Sequence, residues 1–68
     1  MQTRIAEYRK EKHITQEDLA NVVAVTRQTI ISLENGKYVA SLPLAHRIAK
    51  YFGVSIEEMF ILEEDSEA

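Results

Sequence analysis

The 68-residue sequence contains no cysteine, so neither a disulfide framework nor a thiolate metal site can form. No apolar run approaches the roughly 20 residues that span a bilayer, and no segment resembles a signal peptide. We therefore predict a cytoplasmic protein without a membrane partner. Neither histidine is expected to bind a metal, because His13 suits a helix C-terminus and His46 has no second ligand at a suitable spacing.

The chain also lacks repeats and a low-complexity linker, and its length allows one domain with a core that is only marginally sufficient. We expect this domain to span residues 1–62. Residues 63–68 are acidic and are predicted to be a disordered tail. A small core makes stabilisation by oligomerisation unsurprising.

Basic residues are missing from the last part of the chain. Residues 1–53 hold all eight Lys and Arg against five acids, for a charge of +3, whereas residues 54–68 hold six acids and no base. Phosphates respond to the local field of a docking face rather than to the net charge, which is −3 here. The overall acidity therefore does not exclude a nucleic-acid partner.

Residues 16–35 predict two short helices separated by a tight turn. Thr15 and Thr26 precede the two helices, where a hydroxyl can accept a hydrogen bond from an unpaired amide of the first turn. Ala20 is small enough to let the two helices approach closely. The apolar positions that would share one inward face are Leu19, Val23, Val25, Ile30 and Leu33.

Three further helices are indicated around this pair. A first amphipathic helix is predicted from about residue 2 to residue 12. After Gly36 and a loop at 37–40, Ser41 begins a fourth helix that ends at Gly53, and Ser55 begins a short fifth helix that reaches Phe60. We therefore predict an all-α five-helix domain, with one short C-terminal β-strand as the only candidate strand.

The pieces ITQEDLA, VTRQTIISLENGKY and SLPLAHRIAKYFGVSIEEMF, with Arg9 before them, resemble the Cro and repressor-type helix-turn-helix family, also called xenobiotic-response-element-like regulators. The resemblance runs from about Arg4 to Phe60 and implies the compact five-helix bundle of phage repressors. It also implies an ion pair between Arg9 and Glu34, for which the alternative is a solvated surface arginine.

The sequence departs from the family pattern at two helix ends. Ala24 stands where the family usually has Gly, and His13 stands where it usually has Gly or Asn. Members of the family tend to need a left-handed backbone at both positions, which costs a residue other than glycine roughly 1 kcal/mol.

The resemblance makes the second helix of the pair a recognition helix. The residues predicted to read DNA bases are Thr26, Arg27, Gln28, Ile31, Ser32 and Asn35. Arginine can bond guanine bidentately, glutamine can do so with adenine, and an outward Ile31 can contact a thymine methyl. Phosphate contacts are expected at Gln16, Gly36 and Lys37, although an ordinary solvated lysine is the alternative for Lys37.

A single domain of this size reads few base pairs, so we expect a homodimer on a near-palindromic operator, with recognition helices about 34 Å apart. Four consecutive apolar residues, Met59, Phe60, Ile61 and Leu62, are predicted to form the dimer interface, with residues 60 and 61 pairing as strands across a two-fold axis. The alternative is that all four complete the core of the single chain.

The predicted function is that of a DNA-binding transcriptional regulator, more often a repressor, associated with the nucleoid and needing no cofactor. An antitoxin or a restriction-system controller that regulates its own operon is an alternative, as is a protein-interaction module that does not bind DNA. A protein or small-molecule effector is compatible with each of these functions. An enzyme is least expected, because a small helical bundle offers little concave volume and no nucleophile motif is present.

Overall fold

The computed structural model describes residues 1–61. These residues form two short strands and five helices, so the predicted five-helix architecture is confirmed. No helix in this described part is long and apolar enough to cross a bilayer. In chain order the elements are β1 (Gln2–Thr3), α1 (Ile5–Glu11), α2 (Gln16–Val22), α3 (Arg27–Glu34), α4 (Leu42–Phe52), α5 (Ile56–Met59) and β2 (Phe60–Ile61).

The core lies where α2 and α3 cross and is closed by the other helices. Ala20 is 2% exposed, which agrees with the predicted close approach of the two helices. Val25 is half-buried against the core instead of fully inside it. The buried apolar residues are Ile5, Leu19, Ala20, Val23, Ile30, Leu33, Leu44, Ala45, Ile48, Ala49, Met59 and Phe60.

The start of the chain is a strand, so the prediction of a helix from residue 2 is wrong. β1 pairs antiparallel with β2, with Gln2 opposite Ile61 and Thr3 opposite Phe60. Two residues are too few to show an alternating pattern, and the partner strand lies at the other end of the described chain. The sequence therefore gave no local signal for β1.

The candidate strand at residues 60 and 61 does form, and it pairs antiparallel with β1 of the same chain. Met59 and Phe60 are 0% and 1% exposed. The expectation of an exposed apolar cluster is therefore wrong for these two residues, because both side chains complete the core. Ile61 is half-buried, and Leu62 lies outside the described residues together with the predicted tail at 63–68.

The first four helices all end in the same backbone geometry. In each, a residue with positive φ follows the helix, and the next amide donates to a carbonyl in the last turn at 2.9–3.2 Å. The predicted left-handed backbone at His13 and Ala24 is confirmed. The four residues are His13 (φ 58°), Ala24 (φ 63°), Gly36 (φ 77°) and Gly53 (φ 73°).

We expect Ala24→Gly to raise the free energy of unfolding by about 1 kcal/mol, because glycine has no Cβ to disfavour positive φ. Urea denaturation measures this change. Gly53→Ala is the matched control: no atom would contact its Cβ within 4 Å, so only the backbone cost appears and a loss of about 1 kcal/mol is expected. A less stable Ala24→Gly variant would contradict the prediction.

Candidate nucleic-acid interface

The N-terminus of α2 is fixed by reciprocal hydrogen bonds between Thr15 and Asp18. The Asp18 amide donates to Thr15 Oγ1 at 3.0 Å, and the Thr15 amide donates to Asp18 Oδ2 at 2.9 Å. The bonds from the backbone and hydroxyl of Thr15 hold the pKa of the Asp18 carboxyl below its usual value. This cap sets the position of Gln16, the first residue of α2.

The N-terminus of α3 is fixed by Thr26, whose Oγ1 accepts from the Thr29 amide at 3.2 Å and lies 3.0 Å from Thr29 Oγ1. The predicted capping role of Thr26 is therefore present. The same hydroxyl was also predicted to read a base, and the structure shows it already bonded twice within the helix. A base contact by Thr26 would have to share this oxygen or use the methyl group.

The predicted reading face of α3 is directed to solvent over most of its length. Thr26, Arg27, Gln28 and Asn35 are exposed, and Gln28 Nε2 donates to Ser32 Oγ at 3.3 Å. Ser32 and Ile31 are half-buried. Ile31 therefore departs from the expected outward position, because it directly follows the buried Ile30 and lies at the margin of the core-facing side.

The backbone amides at the C-terminus of α3 were predicted to bind phosphate, but two of them are already hydrogen-bonded within the protein. The Gly36 amide donates to the Leu33 carbonyl at 3.2 Å and the Lys37 amide donates to the Ser32 carbonyl at 3.0 Å. Because these bonds close the helix end, Gly36 offers no free donor for a phosphate. The Lys37 side chain is exposed and remains a candidate for a phosphate contact.

One carboxylate, that of Glu34, joins three parts of the candidate interface. Arg9 donates to it twice, from Nε to Oε2 at 2.9 Å and from Nη2 to Oε1 at 3.2 Å. Gln16 Nε2 donates to Oε1 at 3.0 Å, so its amide, predicted to contact phosphate, is oriented by Glu34. The predicted ion pair is thus present, with its side chains 14% and 9% exposed for Arg9 and Glu34.

Two further residues position the interface without having been predicted. Arg47 of α4 donates from Nε to the Val23 carbonyl at 3.2 Å, which ties α4 to the end of α2. Tyr38 lies beside α3, where a shallow groove of about 270 Å³ is lined by Thr26, Gln28, Thr29, Ser32, Lys37 and Tyr38. Neither contact has a local signal, since each depends on how the chain folds back.

Residues 1–61 contain no cluster of three or more side chains that could hold a metal ion. The chemistry of the face beside α3 is that of a guanidinium, an amide, hydroxyls and an ammonium group, carried by a helix whose other side is in the core. Such a surface can hydrogen-bond to base edges and phosphates in a DNA groove.

Comparison with known proteins shows which family the chain belongs to. A model of the helix-turn-helix family matches residues 5–59. A helix-turn-helix transcriptional regulator of Methanothermobacter thermautotrophicus is 61% identical over 66 residues, which cover 96% of each chain. The phage CTXphi transcriptional repressor RstR of Vibrio cholerae is 34% identical over 57 residues, covering 84% of this chain and 51% of that repressor.

Among solved structures, the restriction-modification controller protein C.AhdI of Aeromonas hydrophila superposes with a TM-score of 0.76 and 28% identity. The match covers 84% of this chain and 86% of C.AhdI. A transcriptional regulator of Listeria innocua, at 24% identity and a TM-score of 0.72, shares the fold.

We expect Glu34→Leu to destabilise the protein by about 2–4 kcal/mol, because it leaves the Arg9 guanidinium mostly buried without its carboxylate. Urea denaturation measures the loss. The double variant Arg9→Met with Glu34→Leu is the control, since it removes both charges and should be more stable than Glu34→Leu alone. A double variant that is less stable than the single one would contradict a mainly electrostatic role for the pair.

Proposed function

Because the chain belongs to the Cro and repressor-type helix-turn-helix family of transcriptional regulators, we propose that it binds a specific operator with α3 in the major groove and represses transcription. The observation that supports this most directly is the two-sided character of α3. Ile30 and Leu33 are fully buried on one side, whereas Arg27 and Gln28 are exposed on the other. A helix anchored in this way can present side chains to base edges without moving.

Arg27 and Gln28 are the proposed principal readers. Both lie at the N-terminal end of α3, where a recognition helix meets the base edges, and both can bond a base twice: the Arg27 guanidinium donates, and the Gln28 amide donates and accepts. Gln28 Nε2 donates to Ser32 Oγ at 3.3 Å, so Gln28 is linked to a further proposed reader one turn along the helix. Asn35, Thr26 and the margin residue Ile31 would contribute at the ends and the side of the same surface.

Phosphate contacts are proposed for side chains and for the start of α2. The Lys37 ammonium is exposed at one end of the groove beside α3. Gln16 opens α2, and its side chain is held by Glu34, so it would approach a phosphate in a fixed orientation. These contacts would set the position of α3 without carrying sequence information.

A homodimer on a near-palindromic site is part of this proposal, because α3 alone covers too few base pairs. Since Met59 and Phe60 are buried in the core, Ile61 and Leu62 remain as the proposed interface from the C-terminal segment. Two other apolar side chains are exposed near the start of α4, Val39 at 63% and Leu42 at 72%, and they offer an alternative interface. The experiment on oligomeric state must therefore distinguish these two interfaces.

A restriction-system controller is the second candidate function, favoured by the similarity to C.AhdI at 28% identity over most of both chains. It would use the same α3 contacts on DNA. The two functions differ in the genes they control, so the presence of a restriction endonuclease and a methyltransferase gene beside this one would favour the controller.

Arg27→Ala and Gln28→Ala are each expected to weaken binding to the cognate site by about 1–3 kcal/mol and to relax the preference at one position per half-site. The operator is first obtained by selection from random duplexes, and affinities are then measured by fluorescence anisotropy. Unchanged binding by the double variant would exclude α3 as the reading helix.

Lys37→Ala is the matched comparison, because it removes a proposed phosphate contact from the same face. It should weaken binding to cognate and random duplexes alike and reduce the slope of log K against log salt by about 1. A selective loss on the cognate site would assign Lys37 to base reading instead.

Ile61→Asp combined with Leu62→Asp is expected to give a folded monomer at micromolar concentration that binds half-sites weakly, because the charged pair would prevent apolar association. Sedimentation measures the oligomeric state and circular dichroism the fold. Leu42→Asp, an equally drastic change at the alternative interface, is the control and should remain dimeric. The opposite outcome would move the interface to α4.

A further inference from the structure

Two polar residues of α3, Gln28 and Ser32, are hydrogen-bonded to each other on the surface proposed to read DNA. Gln28 Nε2 donates to Ser32 Oγ at 3.3 Å. The two residues are four positions apart in the same helix, a spacing at which side chains lie next to each other and can pair. The orientation of the Gln28 amide is therefore set by the helix that carries it.

The acceptor of this bond is itself held in place. Ser32 is half-buried, and its carbonyl accepts the Lys37 amide at 3.0 Å in the bonds that close the end of α3. Only one side-chain torsion moves a serine oxygen, and it has three staggered positions, so Ser32 Oγ has few places to lie once the backbone is fixed. Gln28 and Ser32 also line the same groove, with Tyr38 beside them. The amide of Gln28 is thus bonded to an oxygen whose position the fold determines.

This bond changes the bases with which the Gln28 amide can pair. A free glutamine amide offers two N–H donors on Nε2 and an acceptor on Oε1. In the major groove guanine presents two acceptors, N7 and O6, whereas adenine presents the acceptor N7 and the donor N6–H. When one N–H is bonded to Ser32 Oγ, the amide keeps one donor and one acceptor. Adenine requires this combination, and guanine can use only half of it.

We propose that Ser32 is a positioning residue that restricts Gln28 to reading adenine in the major groove of the operator. This inference rests on the proposed function and names the base that Gln28 reads. A guanine in the same place would put its O6 against Oε1, acceptor against acceptor, or would require the bond to Ser32 to break. Ser32 therefore increases the discrimination made by Gln28 without needing a base contact of its own.

The test compares duplexes that differ only at the base pair read by Gln28, which is located as the position whose preference Gln28→Ala relaxes. By fluorescence anisotropy the wild-type protein should favour adenine over guanine there by roughly 5-fold or more, as expected for a bidentate contact. Ser32→Ala should reduce this preference to less than half of its value on a logarithmic scale, mainly by tightening the binding to guanine. An unchanged preference in Ser32→Ala, or a wild-type protein that favours guanine, would overturn the proposal.

Two further variants separate positioning from a general disturbance of α3. Ser32→Thr keeps the hydroxyl and should retain most of the preference for adenine. Thr29→Ala removes a different hydroxyl from the same groove, one that lies 3.0 Å from Thr26 Oγ1, and should leave the preference unchanged. An equal loss of preference in Thr29→Ala would contradict a specific role for Ser32.

Modified bases identify the atoms that Gln28 contacts. 7-Deazaadenine lacks the N7 acceptor, and 2-aminopurine, which still pairs with thymine, lacks the N6 amino group. Each replacement of the adenine should weaken wild-type binding by about 3-fold or more, and neither should weaken binding by Gln28→Ala. If the losses persist in Gln28→Ala, another residue reads this base and the proposal is wrong.

A measurement on the free protein separates the hydrogen bond from DNA binding. The side-chain N–H resonances of Gln28 should shift in Ser32→Ala and stay in place in Thr29→Ala. Unchanged resonances in Ser32→Ala would overturn the positioning of Gln28. Shifted resonances in a protein that binds no duplex of any sequence would instead overturn the proposed function, and with it the assignment of adenine, while the hydrogen bond would stand.

Discussion

The position of the proposed recognition helix depends on the pairing of Glu34 with Arg9. Glu34 is the last residue of α3 and Arg9 lies in α1, so their two hydrogen bonds, at 2.9 and 3.2 Å, join helices that are distant in sequence. Arg9 also donates from Nη1 to the Ile14 carbonyl at 3.1 Å, in the segment before α2. One mostly buried pair therefore aligns α1, the start of α2 and the end of α3.

The helix ends carry the second constraint, because helices this short need abrupt changes of direction. Left-handed residues at positions 13, 24, 36 and 53 provide them, and two of these residues are not glycine. The strain at His13 and Ala24 is tolerated since the following residues, Ile14 and Val25, pack against the core. At these two turns the conformational cost of a positive φ is therefore offset by apolar burial of the next residue.

Several elements contribute different residues to the surface that is proposed to bind DNA. α3 supplies the readers, the capped start of α2 holds Gln16, and the loop after α3 brings Lys37 and Tyr38 against the helix.

Sequence alone determined the five helices, because caps such as Thr15 and Ser55, stops such as Gly53 and the apolar spacing are local signals. The family resemblance supplied the Arg9–Glu34 pair and the left-handed turns. Only the tertiary structure decided the β1–β2 pairing, the burial of Met59 and Phe60, and the use of the Gly36 amide in closing α3. These features follow from which distant segments meet, and no local pattern of residues encodes that meeting.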